Sequence, residues 1–153
     1  MKLSQLLTPA QILLGFEAAD KWDAIRRMSS VLAEVGGLTD PVARAATAAL
    51  IAREESMTTG MENGVAIPHA ALDDLSRLLA VVALVPGGID FASVDGQPGR
   101  ILVGLLIPKA EKLQHIRTLA GIAKVLSQAD VREQLLAIGG AEEGLEVIRH
   151  GEG

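Results

Sequence analysis

Two uninterrupted apolar runs, residues 78–85 (Leu-Leu-Ala-Val-Val-Ala-Leu-Val) and 101–107 (Ile-Leu-Val-Gly-Leu-Leu-Ile), constrain the fold more than any other feature of the chain. A strand with one wet face alternates apolar and polar residues. These runs do not, so each reads as a strand buried on both faces or nearly so. Pro86-Gly87-Gly88 bounds the first run and Pro108 ends the second. Neither is long enough to cross a bilayer, and Arg or Lys interrupts every apolar stretch well before the roughly 18 residues that a membrane helix needs.

The segments around these runs have helical periods. Leu3, Leu6 and Leu7 are spaced as a short helix that stops at Thr8-Pro9, and residues 11–16 form a compact apolar run suited to a buried strand. From Asp20, a residue able to cap a helix, Trp22, Ile25, Met28, Leu32 and Val35 recur every three or four positions until Gly36-Gly37. A second helix starts at Asp40 with Pro41 in its first turn and runs to about Arg53. After a glycine loop, the triplet 65–67 is a short strand that ends at Pro68. The segment 89–98, with Val94-Asp95-Gly96-Gln97-Pro98, reads as turns. Beyond Pro108, Leu113, Ile116, Leu119, Ala120, Ile122, Ala123 and Leu126 share one face of a helix over 110–127. Asp130 caps a further helix to Ile138, Gly139-Gly140 ends it, residues 141–149 form a last short helix, and His150 onward is a fraying tail. Strands alternating with helices, with no internal repeat, give an α/β class: one domain over 1–153, a sheet with helices on both faces.

Composition removes several functions. With 14 Lys plus Arg against 19 Asp plus Glu the net charge is −5, and the chain has two Phe, one Trp and no Tyr, so neither a nucleic-acid nor an anionic-membrane footprint is expected. No cysteine is present, which excludes disulfides, thiolate metal sites and cysteine nucleophiles. The N-terminus lacks a secretory h-region, so a soluble, cytoplasmic protein without membrane insertion is expected.

The chemistry concentrates in residues 53–70, Arg-Glu-Glu-Ser-Met-Thr-Thr-Gly-Met-Glu-Asn-Gly-Val-Ala-Ile-Pro-His-Ala. His69 follows a strand and a glycine loop, where functional side chains gather; the bland alternative is a histidine that merely caps the strand end through a backbone hydrogen bond. Taken alone, His115 on its helix reads as structural, and His150 has no assigned role. Glu54, Glu55 and Glu62 could each orient an imidazole or the guanidinium but read more simply as solvated helix-end and loop charges, Asp73-Asp74 as a turn or cap, and Asp95 as a turn former. Met57, Met61 and Val65 form a candidate docking patch around His69. Two histidines without cysteine do not make a zinc site, and no metal or other cofactor is implied.

Arg53-Glu54, Ser56, Thr59-Gly60, Asn63-Gly64 and Ala66-Ile67-Pro68-His69 together resemble the active-site signature of the enzyme IIA domains of the bacterial phosphoenolpyruvate-dependent phosphotransferase system, in the fructose, mannitol and nitrogen-regulatory class. The resemblance continues through Ile89-Asp90-Phe91, the Val94 to Pro98 turn, Leu105-Leu106-Ile107-Pro108 and His115, so it covers essentially the whole chain. It implies a mixed sheet flanked by helices, His69 as phosphoryl acceptor, and Arg53 and His115 in the same pocket. It also implies an HPr-like phosphoryl donor, with a IIB acceptor or a regulatory target protein downstream. Met61-Glu62 and Lys112-Leu113-Gln114 depart from the family pattern and bear on partner identity.

The residue types suit that chemistry. Imidazole is neutral near pH 7 and nucleophilic, and a guanidinium at Arg53 can fork onto two phosphoryl oxygens. Ser56, Thr59 and Gly60 are expected to support phosphate through hydroxyl and backbone N–H groups. Chain length favours a nitrogen-regulatory phosphocarrier; a sugar-specific IIA passing phosphate to a separate IIB cysteine is the alternative, and a non-catalytic binding module of the same fold is the second. A hydrolase using two histidines lacks a third member and ranks below these.

Overall fold

The computed structural model describes residues 1–153, and both long apolar runs are strands at the centre of one mixed sheet. In chain order the elements are α1 (Leu3–Leu6), β1 (Ile12–Leu13), α2 (Lys21–Gly36), α3 (Asp40–Ser56), β2 (Val65–Ala66), β3 (His69–Leu72), β4 (Leu79–Ile89), β5 (Gly99–Pro108), α4 (Lys112–Leu126), α5 (Ala129–Ala137) and α6 (Ala141–Glu152). The strand order is β1-β4-β5-β2, with β3 also on β5. β4 and β5 are antiparallel, while β1 lies parallel to β4, and β2 and β3 parallel to β5. No helix is long and apolar enough to cross a membrane.

Alternation is present inside the apolar runs, though hydropathy hides it. Ala80, Val82 and Leu84 of β4, with Ile101, Val103, Leu105 and Ile107 of β5, face a core built with Leu3, Ile122, Leu126, Leu135 and Ile148. Leu79, Val81 and Ala83, with Leu102 and Leu106, face the opposite core with Ile25, Met28, Leu32 and Leu50. So α1, α4, α5 and α6 cover one face and α2 with α3 the other, as the expectation of helices on both faces requires.

Several boundaries differ from expectation for identifiable reasons. Pro68 has no N–H for the ladder, yet its carbonyl accepts from Leu105 N at 3.0 Å and the register survives the break, Ala66↔Leu102 before it and His69↔Leu105 after it. His69 therefore begins a strand rather than trailing one. β4 runs on through Pro86-Gly87-Gly88 to Ile89 because a register shift absorbs the irregularity. Only Ile12–Leu13 of the predicted 11–16 strand is extended; a 3-10 turn, Pro9–Gln11, precedes it. Asp20 does cap α2, accepting from Asp23 N at 2.8 Å, but Asp130 lies inside α5, after the cap residue Gln128. The tail is not frayed: α6 extends to Glu152, whose carboxylate accepts from Ser4 N and Ser4 Oγ. The buried face of α4 is His115, Thr118, Ile122, Val125 and Leu126, whereas Leu113 and Ile116 are 81% and 53% exposed.

Leu32 is fully buried between α2 and the sheet. Truncation at such a site loses transfer free energy and leaves a cavity, so Leu32→Ala is expected to lower stability by about 2–5 kcal/mol in urea denaturation.

Candidate functional site

The last turn of α3 delivers two adjacent side chains in different directions. Arg53 is half-buried and its Nη1 donates to the Met57 carbonyl at 2.7 Å, while Glu54 is only 3% exposed. The chain then crosses to β2 through a loop tied at nearly every residue. Thr58 Oγ1 donates to the Phe91 carbonyl, Thr59 N donates to Glu54 Oε2 at 2.8 Å, and Thr59 Oγ1 donates to Glu54 Oε1. Met61 N donates to Val65 O and Ile67 N to Thr59 O. A Cβ on Gly60 would lie 2.4 Å from Ser93 Oγ and 2.9 Å from the Phe91 carbonyl, so only glycine allows this close approach. Asn63 and Gly64 turn the loop back with φ of 62° and 78°.

His69 sits where this loop, β3 and α4 meet. A cleft of about 310 Å³ is lined by Arg53, Thr58, Thr59, Gly60, Met61, Ile67 and His69 on one side and by Leu119, Ala120 and Ala123 of α4 on the other. A larger cavity of about 490 Å³, between the N-terminal residues and the α4 and α6 C-terminal turns, contains no histidine or arginine. Chemistry therefore places the candidate site in the smaller cleft.

The imidazole has a defined tautomer. His69 Nδ1 lies 2.7 Å from the Ile67 carbonyl, and a carbonyl only accepts, so Nδ1 carries the proton and Nε2 carries the lone pair. The backbone bond that a purely structural histidine would make is thus the bond that frees the other nitrogen. Burial holds the His69 pKa below its ordinary value; the Ile67 carbonyl and Glu54 pull it up, while Arg53 and Lys112 push it further down.

Of the predicted residues, Arg53, Thr59, Gly60 and His69 come together in the cleft. Ser56 does not line it; its hydroxyl donates to the Arg53 carbonyl at 2.7 Å and closes the helix end. His115 does not line it either. It is 8% exposed, with Nε2 3.1 Å from Glu111 and Nδ1 3.5 Å from Thr118 Oγ1, so its ring is tied into its own helix. Val65 is buried and leaves the predicted docking patch, whereas Met57 is 69% exposed. The expectation of a solvated Glu54 fails: the side chain is 1% exposed and paired with Lys21 at 3.4 Å. Four residues separate Glu54 from Thr59, and nothing in the local pattern signals that the loop folds back onto the acid. No cluster of three or more His, Asp or Glu side chains is placed to hold a metal ion.

Residues 5–151 match the family described as phosphoenolpyruvate-dependent sugar phosphotransferase system, EIIA 2, and the chain belongs to that family of phosphotransfer components. A nitrogen regulatory protein of Bradyrhizobium diazoefficiens is 34% identical over 90% of this chain and 88% of its own. The crystal structure of nitrogen regulatory protein IIA-Ntr from Neisseria meningitidis superposes with a TM-score of 0.87 at 25% identity, covering 95% of this chain and 98% of that one. Enzyme IIA of mannitol from Escherichia coli, in its complex with phosphorylated enzyme IIB, superposes with a TM-score of 0.80 at 25% identity, over 94% and 97% of the two chains.

A histidine with a lowered folded-state pKa binds fewer protons folded than unfolded just below pH 6.5, so protonation favours unfolding there. The His69 midpoint in an NMR titration is expected below about 6.5. Stability contributed at His69 is expected to fall as pH drops from about 6.5 through that midpoint and to level off beneath it. Comparison with His69→Gln isolates the effect.

Proposed function

We propose that His69 Nε2 accepts a phosphoryl group from the phosphohistidine of an HPr-like donor. The observation that carries this reading is the Nδ1–H bond to the Ile67 carbonyl, which leaves Nε2 with its lone pair on a ring that lines the same cleft as Arg53. The Nε2–P bond forms as the P–N bond to the donor imidazole breaks and the pair of electrons returns to the donor ring. Arg53 offsets charge on the equatorial oxygens, and the Thr59 to Gly60 segment walls the same space. Because the ring keeps its Nδ1 proton, the phosphorylated imidazole carries a positive charge. The Ile67 carbonyl and the Glu54 carboxylate both favour it.

The role that fits best is nitrogen-regulatory, on the likeness to the Bradyrhizobium and Neisseria proteins. The likeness to mannitol enzyme IIA supports the second reading, a sugar-specific carrier that hands phosphate to a IIB cysteine on another chain. Met57, Met61, Leu113 and Ile116 are exposed apolar side chains near the cleft or on α4 and form the docking rim for either partner. A phosphoryl group on His69 would set a dianionic group beside this rim, offset in part by the positive ring, and so serves equally as a signal to a regulatory target.

Incubation with phosphoenolpyruvate, Enzyme I and HPr is expected to add one acid-labile phosphoryl group to the native chain and none to His69→Ala, read by intact mass. Arg53→Lys, which loses the fork but keeps the charge, is expected to slow uptake by about tenfold or more. Loss of label to an added IIB protein would favour the sugar-specific reading, and retention the nitrogen-regulatory one.

A further inference from the structure

Glu54 is the only buried acidic residue of the chain. A carboxylate in such a place is costly unless its lone pairs are used. Here two of them are used on one loop residue, Oε2 accepting from Thr59 N and Oε1 from Thr59 Oγ1, and Oε2 also accepts from Lys21 Nζ. Lys21 supplies the counter-charge at 3.4 Å and lies over the Trp22 ring, 4.9 Å from its centre. Helix termination does not require any of this, because Ser56 Oγ and Met57 N already satisfy the Arg53 carbonyl. What the arrangement does fix is the loop. Thr59 is held at both backbone and hydroxyl, its carbonyl accepts from Ile67 N at 3.2 Å, and the Ile67 carbonyl accepts from His69 Nδ1 at 2.7 Å.

We propose that Glu54 is a positioning residue for His69, acting through Thr59 and the Thr59–Ile67 backbone bond to hold the carbonyl that selects the imidazole tautomer. The proposal rests on reading His69 Nε2 as the phosphoryl acceptor and adds what keeps that nitrogen unprotonated. Without the buried acid, Thr59 loses both anchors, the strand entry at Ile67 loosens, and the ring is free to carry its proton on Nε2, where it cannot attack phosphorus.

The test reads the tautomer on the full chain with no phosphoryl donor present, and then measures uptake once phospho-HPr is added. Nitrogen-15 chemical shifts of the His69 ring give its tautomer in the native protein and in Glu54→Gln, Thr59→Val and Thr59→Ser. Native and Thr59→Ser, which keeps the hydroxyl, are expected to hold the Nδ1–H form. Glu54→Gln and Thr59→Val are expected to populate the Nε2–H form measurably. Both are expected to take up phosphate from phospho-HPr about tenfold more slowly, short of the roughly 100-fold that a 1 Å misplacement costs. A merely structural acid would lower the melting temperature of these variants and leave the tautomer alone. An unchanged tautomer in Glu54→Gln and Thr59→Val overturns the proposal, and if Glu54→Gln does not fold, the Thr59→Val and Thr59→Ser pair decides it. A shifted tautomer with no phosphoryl uptake by the native chain would keep the positioning role and remove the phosphocarrier reading.

Discussion

β4 and β5, paired antiparallel from Leu79↔Leu106 to Leu84↔Ile101, leave no face for water. Full burial of each Val, Leu or Ile contributes about 1.5–3 kcal/mol relative to exposure, so the pair is stable only with both faces covered. This requirement fixes where the helices go. It also builds the edge on which β2 and β3 lie along β5, with Pro68 between them, and so brings His69 opposite Leu105. The catalytic candidate stands on a strand paired with the buried β5 rather than on a free loop.

Around that edge, electrostatics and hydrogen bonding act on one ring in opposite senses. Burial and the Arg53 and Lys112 cations disfavour a protonated imidazole, which keeps the free base available to attack. The Ile67 carbonyl and Glu54 favour a charged ring, which in the proposed reaction would steady the phosphorylated product. A carrier has to accept and release the group with little free-energy difference, and opposed influences of this kind keep both states accessible. Glu54 and Arg53 are neighbours in sequence, yet the turn of α3 sends one into the interior and the other to the cleft.

Much of this was legible in the chain. The continuous apolar runs announced strands buried twice over, the three-and-four spacing from Trp22 to Val35 announced α2, and the Ala-Ile-Pro-His motif with its upstream Arg marked the cleft. What was not legible depends on contacts between distant residues. The apolar face of α4 could not be assigned from period alone, because Leu113 and Ile116 fit the stripe that runs on to Leu119 and Ile122 yet are exposed, while His115 and Thr118 in the same turns are buried. The helical tail at His150 is held by a residue near the other end of the chain, Ser4 on Glu152. Glu54 looked like any surface acid at a helix end, since its partners Thr59 and Lys21 reach it only through the fold.

The central claim is that the Ile67 carbonyl assigns the proton of His69 to Nδ1 and leaves Nε2 to take the phosphoryl group. Phosphorus-31 and nitrogen-15 NMR of the chain after phosphorylation by phospho-HPr identifies the nitrogen that carries phosphorus. Coupling of phosphorus to His69 Nε2, with Nδ1 still protonated against Ile67, is the predicted result. Phosphorus on Nδ1, or on His115, would contradict the account.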